Sequence, residues 1–220
     1  MPANDLIRRL LELEVSALCD ADKALPVADP AIRAIVPDVR FAGPALTVVA
    51  PDDHLPLFAA LDAASPGDVL VVINAAGSRA VVGELFATEA RRRGLAGIVV
   101  DGLCRDVAGL RRLGLPVFAR GTIPASGTTV SRTALGQHVR CGGIDVAAGD
   151  IVFGDDDGLV IAGADRLSAA LEGGETIARA ERAMLAAMAD GRPIHELTNY
   201  AEHAARLDAG EESKLEFRVD

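Results

Sequence analysis

Between Pro66 and Ala119 short β-branched runs alternate with helical periods, and this rhythm restricts the possible folds more than any other feature of the chain. Val69-Leu70-Val71-Val72-Ile73 is a continuous apolar run of the kind that suits a strand buried on both faces. A helical stretch begins at Gly83 and ends in Arg91-Arg92-Arg93 followed by Gly94, the cations and glycine stop that a helix C-terminus favours. Ile98 to Val100 reads as the next buried strand. A turn at Gly102 then leads to a second helix over residues 107–113, stopped by Gly114, and residues 116–119 form a third strand. Strand, helix, strand, helix, strand with short connections predicts parallel pairing through right-handed crossovers. Ligands of such sheets sit beyond the carboxyl ends of the strands. Residues 74–78, residues 101–106 and the helix start at Gly83 are therefore expected to face one site.

On the N-terminal side, Leu6, Leu10 and Leu13 with Ile7 and Leu11 space themselves as one helical face over residues 4–15, with Asn4 or Asp5 as cap. Residues 16–25 predict a second short helix, and residues 26–37 a Pro-rich connection. Residues 41–50 read as a strand interrupted early by Gly43-Pro44, hence at a bend or an edge. Residues 54–64 read as an amphipathic helix. From residue 121 to residue 161 the pattern changes to short β segments, Thr128-Thr129-Val130, Val139-Arg140-Cys141, Ile144-Asp145-Val146, Ile151-Val152-Phe153 and Leu159-Val160-Ile161. Residues 165–189 predict a long helix with a break at Gly173-Gly174, and residues 193–207 a further helix. Leu215, Phe217 and Val219 alternate with charges, as a pairing strand or a disordered end. A length of 220 residues suits one domain with extensions. We expect a body over residues 1–165 and a helical extension over residues 166–220, packed on the same domain or on a neighbouring subunit.

Charge narrows the partners. Lys and Arg number 22 against 32 Asp and Glu, a net charge of −10, which argues against nucleic-acid binding. Aromatic residues make up 3% with no Trp, too few for base-stacking platforms. An anionic small substrate would need local basic groups or a metal to offset the field. Cys19, Cys104 and Cys141 form no CxxC motif, which points to a reducing compartment. No cationic leader precedes an apolar run and no apolar stretch reaches spanning length, so a soluble, cytoplasmic protein without a membrane partner is expected.

The chemistry concentrates in residues 83–106. Unpaired amides at Leu85 and Phe86 would make the helix start an anion site, while Glu84 also fits a first-turn acid that complements the helix dipole. Arg105-Asp106 reads as a guanidinium beside a metal-binding carboxylate, or as an N-cap for the helix at Val107 with Arg105 in solvent or in a surface pair. One carboxylate suits Mg²⁺ or Mn²⁺, which keep waters and take ligands from the substrate. His54, His138, His195 and His203 lack metal-ligand spacing and read as surface or structural residues. Cys104 reads as a packing residue. Asp155-Asp156-Asp157-Gly158 lacks the alternate spacing and terminal Glu of a calcium loop and reads as a turn. Asn74-Ala75-Ala76-Gly77 is no dinucleotide fingerprint, which argues against an NAD enzyme.

Four segments carry a resemblance: Pro66-Gly67-Asp68-Val69-Leu70-Val71, Gly83-Glu84-Leu85-Phe86-Ala87-Thr88, Asp101-Gly102-Leu103-Cys104-Arg105-Asp106, and Gly149-Asp150 through Asp155-Asp156-Asp157-Gly158. Their order and spacing over roughly residues 15–165 resemble the RraA-like family. That family includes class II 4-hydroxy-4-methyl-2-oxoglutarate / 4-carboxy-4-hydroxy-2-oxoadipate aldolases and regulators of ribonuclease activity. The most specific element is an acid, twenty residues, then Arg-Asp: Glu84 followed by Arg105-Asp106. The resemblance implies an α/β fold, a swivelling β/β/α domain whose central sheet contains parallel βαβ units, with N- and C-terminal helices. It also implies assembly as a homotrimer or a dimer of trimers.

At the site the resemblance implies that Gly83, Glu84, Leu85 and Phe86 hold a substrate carboxylate and that Arg105 contacts the substrate. Asp106 would ligate Mg²⁺ or Mn²⁺ directly, and Glu84 would reach the metal through water. The implied activity is retro-aldol cleavage of a 4-hydroxy-2-oxo acid, or decarboxylation of oxaloacetate, giving pyruvate through an enolate that the metal stabilises. Glu181 or a metal-bound water would take the 4-hydroxyl proton, although Glu181 also fits a solvated helix face. Glu84 stands where some aldolases carry Asp, a longer arm that still permits contact through water and alters the pocket. The missing dinucleotide fingerprint speaks against the methyltransferase name that relatives have carried. The family's regulators supply a different expectation, non-catalytic binding to a ribonuclease. Residues 121–136 and the extended C-terminus suggest a third, a related lyase with an unusual oxo-acid substrate.

Overall fold

The computed structural model describes residues 3–75 and 77–218. Helices α1 (Ala3–Leu10) and α2 (Val15–Ala21) precede a two-residue strand β1 (Arg33–Ala34) and the nine-residue strand β2 (Phe41–Val49). Helix α3 (Leu55–Ala63), strands β3 (Val69–Ile73) and β4 (Ala80–Val82), helix α4 (Glu84–Arg92) and strand β5 (Gly97–Cys104) follow. Helix α5 (Val107–Leu113) and strand β6 (Val117–Thr122) complete the alternation. Strands β7 (Val139–Cys141) and β8 (Ile144–Val146) form a separate hairpin, and β9 (Ile151–Asp155) and β10 (Gly158–Ala162) form another that joins the main sheet. The sheet order is β1-β6-β5-β3-β2-β9-β10, with β4 added to β5. Strands β2, β3, β5 and β6 are mutually parallel, as the sequence rhythm predicts. Antiparallel β1 and β9 flank them.

Alternation along the buried strands sorts the core. Leu70, Val72, Ile98 and Val100 face helices α3, α4 and α5 through Leu57, Ala60, Ala87 and Leu110. Val69, Val71, Val99 and Phe118 face the two hairpins instead. The far side of the β9–β10 hairpin, through Phe153 and Val160, packs on α1, α2 and α6 (Ala164–Ala189). No described helix is long and apolar enough to cross a membrane.

Several local expectations change. Strand β2 is continuous and central, because Gly43-Pro44 marks a change of partner rather than an interruption. Residues Phe41 to Pro44 pair with β9, and Ala45 to Val49 pair with β3. Gly43 is needed there because a Cβ would lie 2.1 Å from the Gly67 carbonyl oxygen. Gly102 is inside β5 rather than a turn, since Asn74 Cβ approaches to 2.9 Å of where its side chain would begin. Helix α3 is apolar on more than one side, with Leu57 and Ala60 buried and Phe58 59% exposed. Thr128-Thr129-Val130 is a loop that makes one bridge, Thr128 to Asp53. It is held by the Asp53 carboxylate, which accepts from Thr128 Oγ1 and the Val130 and Ser131 amides at 2.7, 2.7 and 2.9 Å.

Helix α6 runs 26 residues without a break. Gly173 and Gly174 let it approach α2 instead, for a Cβ at Gly173 would meet Ala21 Cβ at 2.9 Å. The first helix stops at Leu10, and Leu13 reaches the core from the turn that follows. Residues 193–207 divide into a 3₁₀ turn (Ile194–Leu197) and α7 (Tyr200–Asp208). The tail folds back, with Phe217 bridging Thr198 and the Glu216 amide donating to Asn199 Oδ1 at 2.7 Å. Val219 lies outside the described residues. Asp156 and Asp157 form the β9–β10 turn, while buried Asp155 accepts the Val15 amide at 2.9 Å.

Candidate active site

Strand β4, which the sequence does not reveal, explains how two distant segments meet. It runs parallel to β5 with Val82 opposite Cys104, and the Arg105 amide donates to the Val82 carbonyl at 2.9 Å. This register sets Gly83-Glu84 beside Arg105-Asp106 at the carboxyl ends of both strands. Two other segments expected at those ends serve different purposes. Asn74 and Ser78 are tied to Asp52, with the Asp52 amide donating to Asn74 Oδ1 at 2.9 Å and the Ser78 amide to Asp52 Oδ2 at 3.0 Å. Ala76 lies outside the described residues. Asp101 is buried, accepting from Arg120 Nε at 2.5 Å and from the Gly142 amide at 2.7 Å, and Arg120 also reaches Asp29 at 2.7 Å.

Gly83 is the N-cap of α4 and Glu84 its first residue. First-turn amides have no intrahelical acceptor, and the Glu84 amide donates to Asp106 Oδ2 at 3.1 Å. Asp106 thus caps α4 from across the strand ends. It occupies the N-cap position of α5 yet makes no side-chain cap bond there. Its backbone is left-handed, φ 61° and ψ 38°, a costly conformation for an L-residue that concentrates at functional sites. Arg105 Nε stands 3.5 Å from Asp106 Oδ2, and the two side chains are 37% and 41% exposed. A side chain at position 83 would displace this pair, because a Cβ would lie 2.4 Å from Asp106 Oδ2 and 3.0 Å from Arg105 Cγ. Glu84 turns toward α5, with Oε1 3.5 Å from Arg112 Nη2 and its carboxylate over Gly109.

These groups line a cleft of about 700 Å³ bounded by α3 and α4, with β4 as its floor. Gly83, Leu85, Phe86, Arg105 and Asp106 all line it; Glu84 stands beside it. The α3 side contributes Phe58 and His54, both stacked edge-on against Phe86 with ring centroids 5.2 and 5.7 Å apart. Beyond them Arg93 is engaged by Glu89 at 2.7 Å and Asp62 at 3.3 Å. Hydrogen bonds from Arg92 and then Arg93 draw the Glu89 carboxyl down to about 2. Burial alone would raise the Asp53 carboxyl, but its hydrogen-bond donors hold it well below the carboxylate range, and the loop it anchors brings Ser126 to the rim.

Cys104 is buried and its thiol is pushed up to about 11 by that burial, as suits a packing residue. Glu181 belongs to α6, which packs on α1 and α2, and is not among the cleft-lining residues. Among the described residues no cluster of three or more His, Cys, Asp or Glu is arranged to hold a metal. His54, Phe58, Arg93 and Ser126 escape a sequence reading because helix packing and loop closure bring them in. The one available signal was Phe58, a large apolar residue on a helix already apolar on its buried side.

Residues 15–161 match the RraA-like family model, described as Aldolase/RraA. A protein of Halalkalibacterium halodurans named "Putative 4-hydroxy-4-methyl-2-oxoglutarate aldolase" is 34% identical over 160 residues, 71% of this chain and 76% of the relative. A solved structure from Geobacillus kaustophilus, described as an S-adenosylmethionine:2-dimethylmenaquinone methyltransferase, is 32% identical with a TM-score of 0.66, covering 71% of this chain and 98% of that one. RraAS2 of Streptomyces coelicolor, described as an unusual member of the RNase ES inhibitor RraA protein family, is 28% identical with a TM-score of 0.71, covering 83% and 97%. The matched span contains the parallel sheet, β4 and both halves of the cleft's polar end, and on that basis the chain belongs to the RraA-like family.

Proposed function

We propose that this protein is a divalent-metal-dependent carbon–carbon lyase that releases pyruvate, by retro-aldol cleavage of a 4-hydroxy-2-oxo acid or by decarboxylation of oxaloacetate. The observation that carries this reading is the β4–β5 register, which gathers a helix N-terminus, a guanidinium and a carboxylate at one end of one cleft. The amides of Leu85 and Phe86 suit a substrate carboxylate. Arg105 adds positive charge where the keto oxygen becomes an enolate oxygen. Asp106 Oδ2 takes the Glu84 amide, leaving Oδ1 without a donor among the described residues. One part-exposed carboxylate fits Mg²⁺ or Mn²⁺, which keep several waters and bind few protein ligands. Glu84 would then act through water. A bound ion would supply Lewis acidity at the keto oxygen. Of the histidines His54 alone lines the cleft, which makes it available to the 4-hydroxyl proton, whereas Glu181 is elsewhere.

The test is pyruvate release from oxaloacetate and from 4-hydroxy-4-methyl-2-oxoglutarate, coupled to lactate dehydrogenase, with chelated protein and with Mg²⁺ or Mn²⁺ restored. Turnover is expected only with metal and is lost in Asp106→Ala and Arg105→Ala. Full activity in both variants would refute the site. We assign the protein to the cytoplasm, as a homotrimer or dimer of trimers that binds no nucleic acid. The likeness to the Streptomyces inhibitor supports a second reading, a non-catalytic ribonuclease regulator. Capture of a purified ribonuclease, with no metal-dependent turnover of any oxo-acid, would establish that reading instead.

A further inference from the structure

Two features of the cleft go unused by a small oxo-acid head group. The first is the aromatic wall of Phe58, Phe86 and His54, in which Phe58 is 59% exposed and so spends little of its surface on the core. Leu85, on the α4 lip, is 81% exposed. The second is the charge balance. Asp62, Glu89 and Asp106 line the cleft against Arg93 and Arg105. Arg93 is already committed to Glu89 and Asp62, so Arg105 is the one lining cation outside that network. Glu84 and Arg112, at the edge, neutralise each other at 3.5 Å.

From this geometry we infer that the preferred substrate is a 2-oxo monocarboxylate whose C4 carries an aryl or branched-alkyl group seated against Phe58 and Phe86. This rests on the lyase reading above and adds the identity of the tail. The carboxylate and keto group occupy the end formed by α4, Arg105 and Asp106, so the carbons beyond C3 extend toward α3. A divalent ion turns the lining charge from one excess negative to one excess positive, which a single carboxylate neutralises. A second carboxylate on the tail would face Glu89 and Asp62 with no uncommitted cation, and would lose hydration against an apolar wall. In the retro-aldol step the 4-hydroxyl loses its proton and the C3–C4 bond breaks. C4 leaves as an apolar aldehyde or ketone, and the electron pair stays on C3 as the pyruvate enolate, which then takes a proton.

Binding separates this inference from the lyase reading, because 2-oxo-4-phenylbutanoate and 2-oxoglutarate both lack the hydroxyl needed for cleavage. Calorimetry with the full chain and Mg²⁺ is expected to show 2-oxo-4-phenylbutanoate binding at least tenfold tighter than 2-oxoglutarate. Phe58→Ala should reduce that ratio about tenfold, as expected for a lost apolar contact, and Phe58→Leu should retain most of it. Equal or tighter binding of 2-oxoglutarate, or an unchanged ratio in Phe58→Ala, would overturn the tail assignment while the lyase reading stands. Binding of neither acid would overturn both. Light scattering on Phe58→Ala addresses the remaining occupant of this wall: a change of mass with an unchanged binding ratio would assign Phe58 to contact with a second copy and overturn the inference.

Discussion

Gly83→Ala separates the role of the polar end of the cleft from its contribution to folding. The backbone at position 83 is extended, φ −150° and ψ −168°, so alanine adopts it without strain. The new methyl would lie 2.4 Å from Asp106 Oδ2, and ordinary contact begins at 3.4 Å, so the carboxylate has to move by roughly 1 Å. It can do so cheaply, because Asp106 and Arg105 are 41% and 37% exposed and swing toward solvent. The Glu84 amide loses its cap, a cost of about 1 kcal/mol. The restricted unfolded chain returns about 0.4–1 kcal/mol, so urea unfolding should shift by no more than about 1 kcal/mol. A misplacement of roughly 1 Å in a reacting constellation lowers rate by about 10²-fold. The variant should therefore fold normally, release pyruvate about a hundredfold more slowly, and require more Mn²⁺ for half-maximal activity. Wild-type kcat/KM in a normally folded variant would refute the role given to Asp106. A stability loss above about 3 kcal/mol would show that the position is structural.

Gly109→Ala probes Glu84 in the same way, since its Cβ would lie 2.2 Å from Glu84 Cδ. Helix propensity favours alanine by up to about 1 kcal/mol, whereas loss of a group acting through water should lower activity roughly 10- to 100-fold, measured by pyruvate release beside thermal unfolding. Asp101→Ala leaves the Gly142 amide without its acceptor and Arg120 with Asp29 alone, beside an emptied site where the Asp101 side chain is only 4% exposed. It should cost about 1–3 kcal/mol in urea unfolding with an unchanged m-value, and a cost under about 0.5 kcal/mol would contradict the structural role given to Asp101. Glu89, lowered from 4.5 to about 2 by its arginine hydrogen bonds, contributes stability that is complete above pH 4.5 and fades as pH falls through about 2. Urea midpoints of wild type and Glu89→Gln should accordingly differ most near neutral pH and converge toward pH 2, and a gap that widens on acidification would reverse the sign.

The parallel core was legible because Val69 to Ile73 and Ile98 to Val100 are apolar on both faces, and Gly94 and Gly114 stop the helices that lead to the strands after them. Glycines misled wherever their purpose was tertiary. Gly102 admits Asn74 and Gly173 admits Ala21, so neither breaks its element. Strand β4 escaped notice because three residues carry no period, yet its register is what joins Glu84 to Asp106. The polar end of the cleft was therefore visible as residues and invisible as an arrangement. The α3 wall depends on packing between elements distant in the chain, and its one local signal is Phe58 on a helix already apolar on its buried side. Asp101 misled for the opposite reason, a carboxylate that reads as the end of a strand yet lies inside β5, where half-buried Arg120 and the Gly142 amide hold it.

The change of partner along β2 also sets an order of events as the chain leaves the ribosome. Residues 41–122 contain every parallel strand and can pair among themselves, while the partner of Phe41 to Pro44 waits for residues 151–154. Until those arrive, half of β2 is an open sheet edge, the kind of surface that recruits stray strands. Pro44 has no amide hydrogen to offer an intruder. The residue that looked like an interruption is well placed to keep a half-made sheet from pairing with the wrong chain.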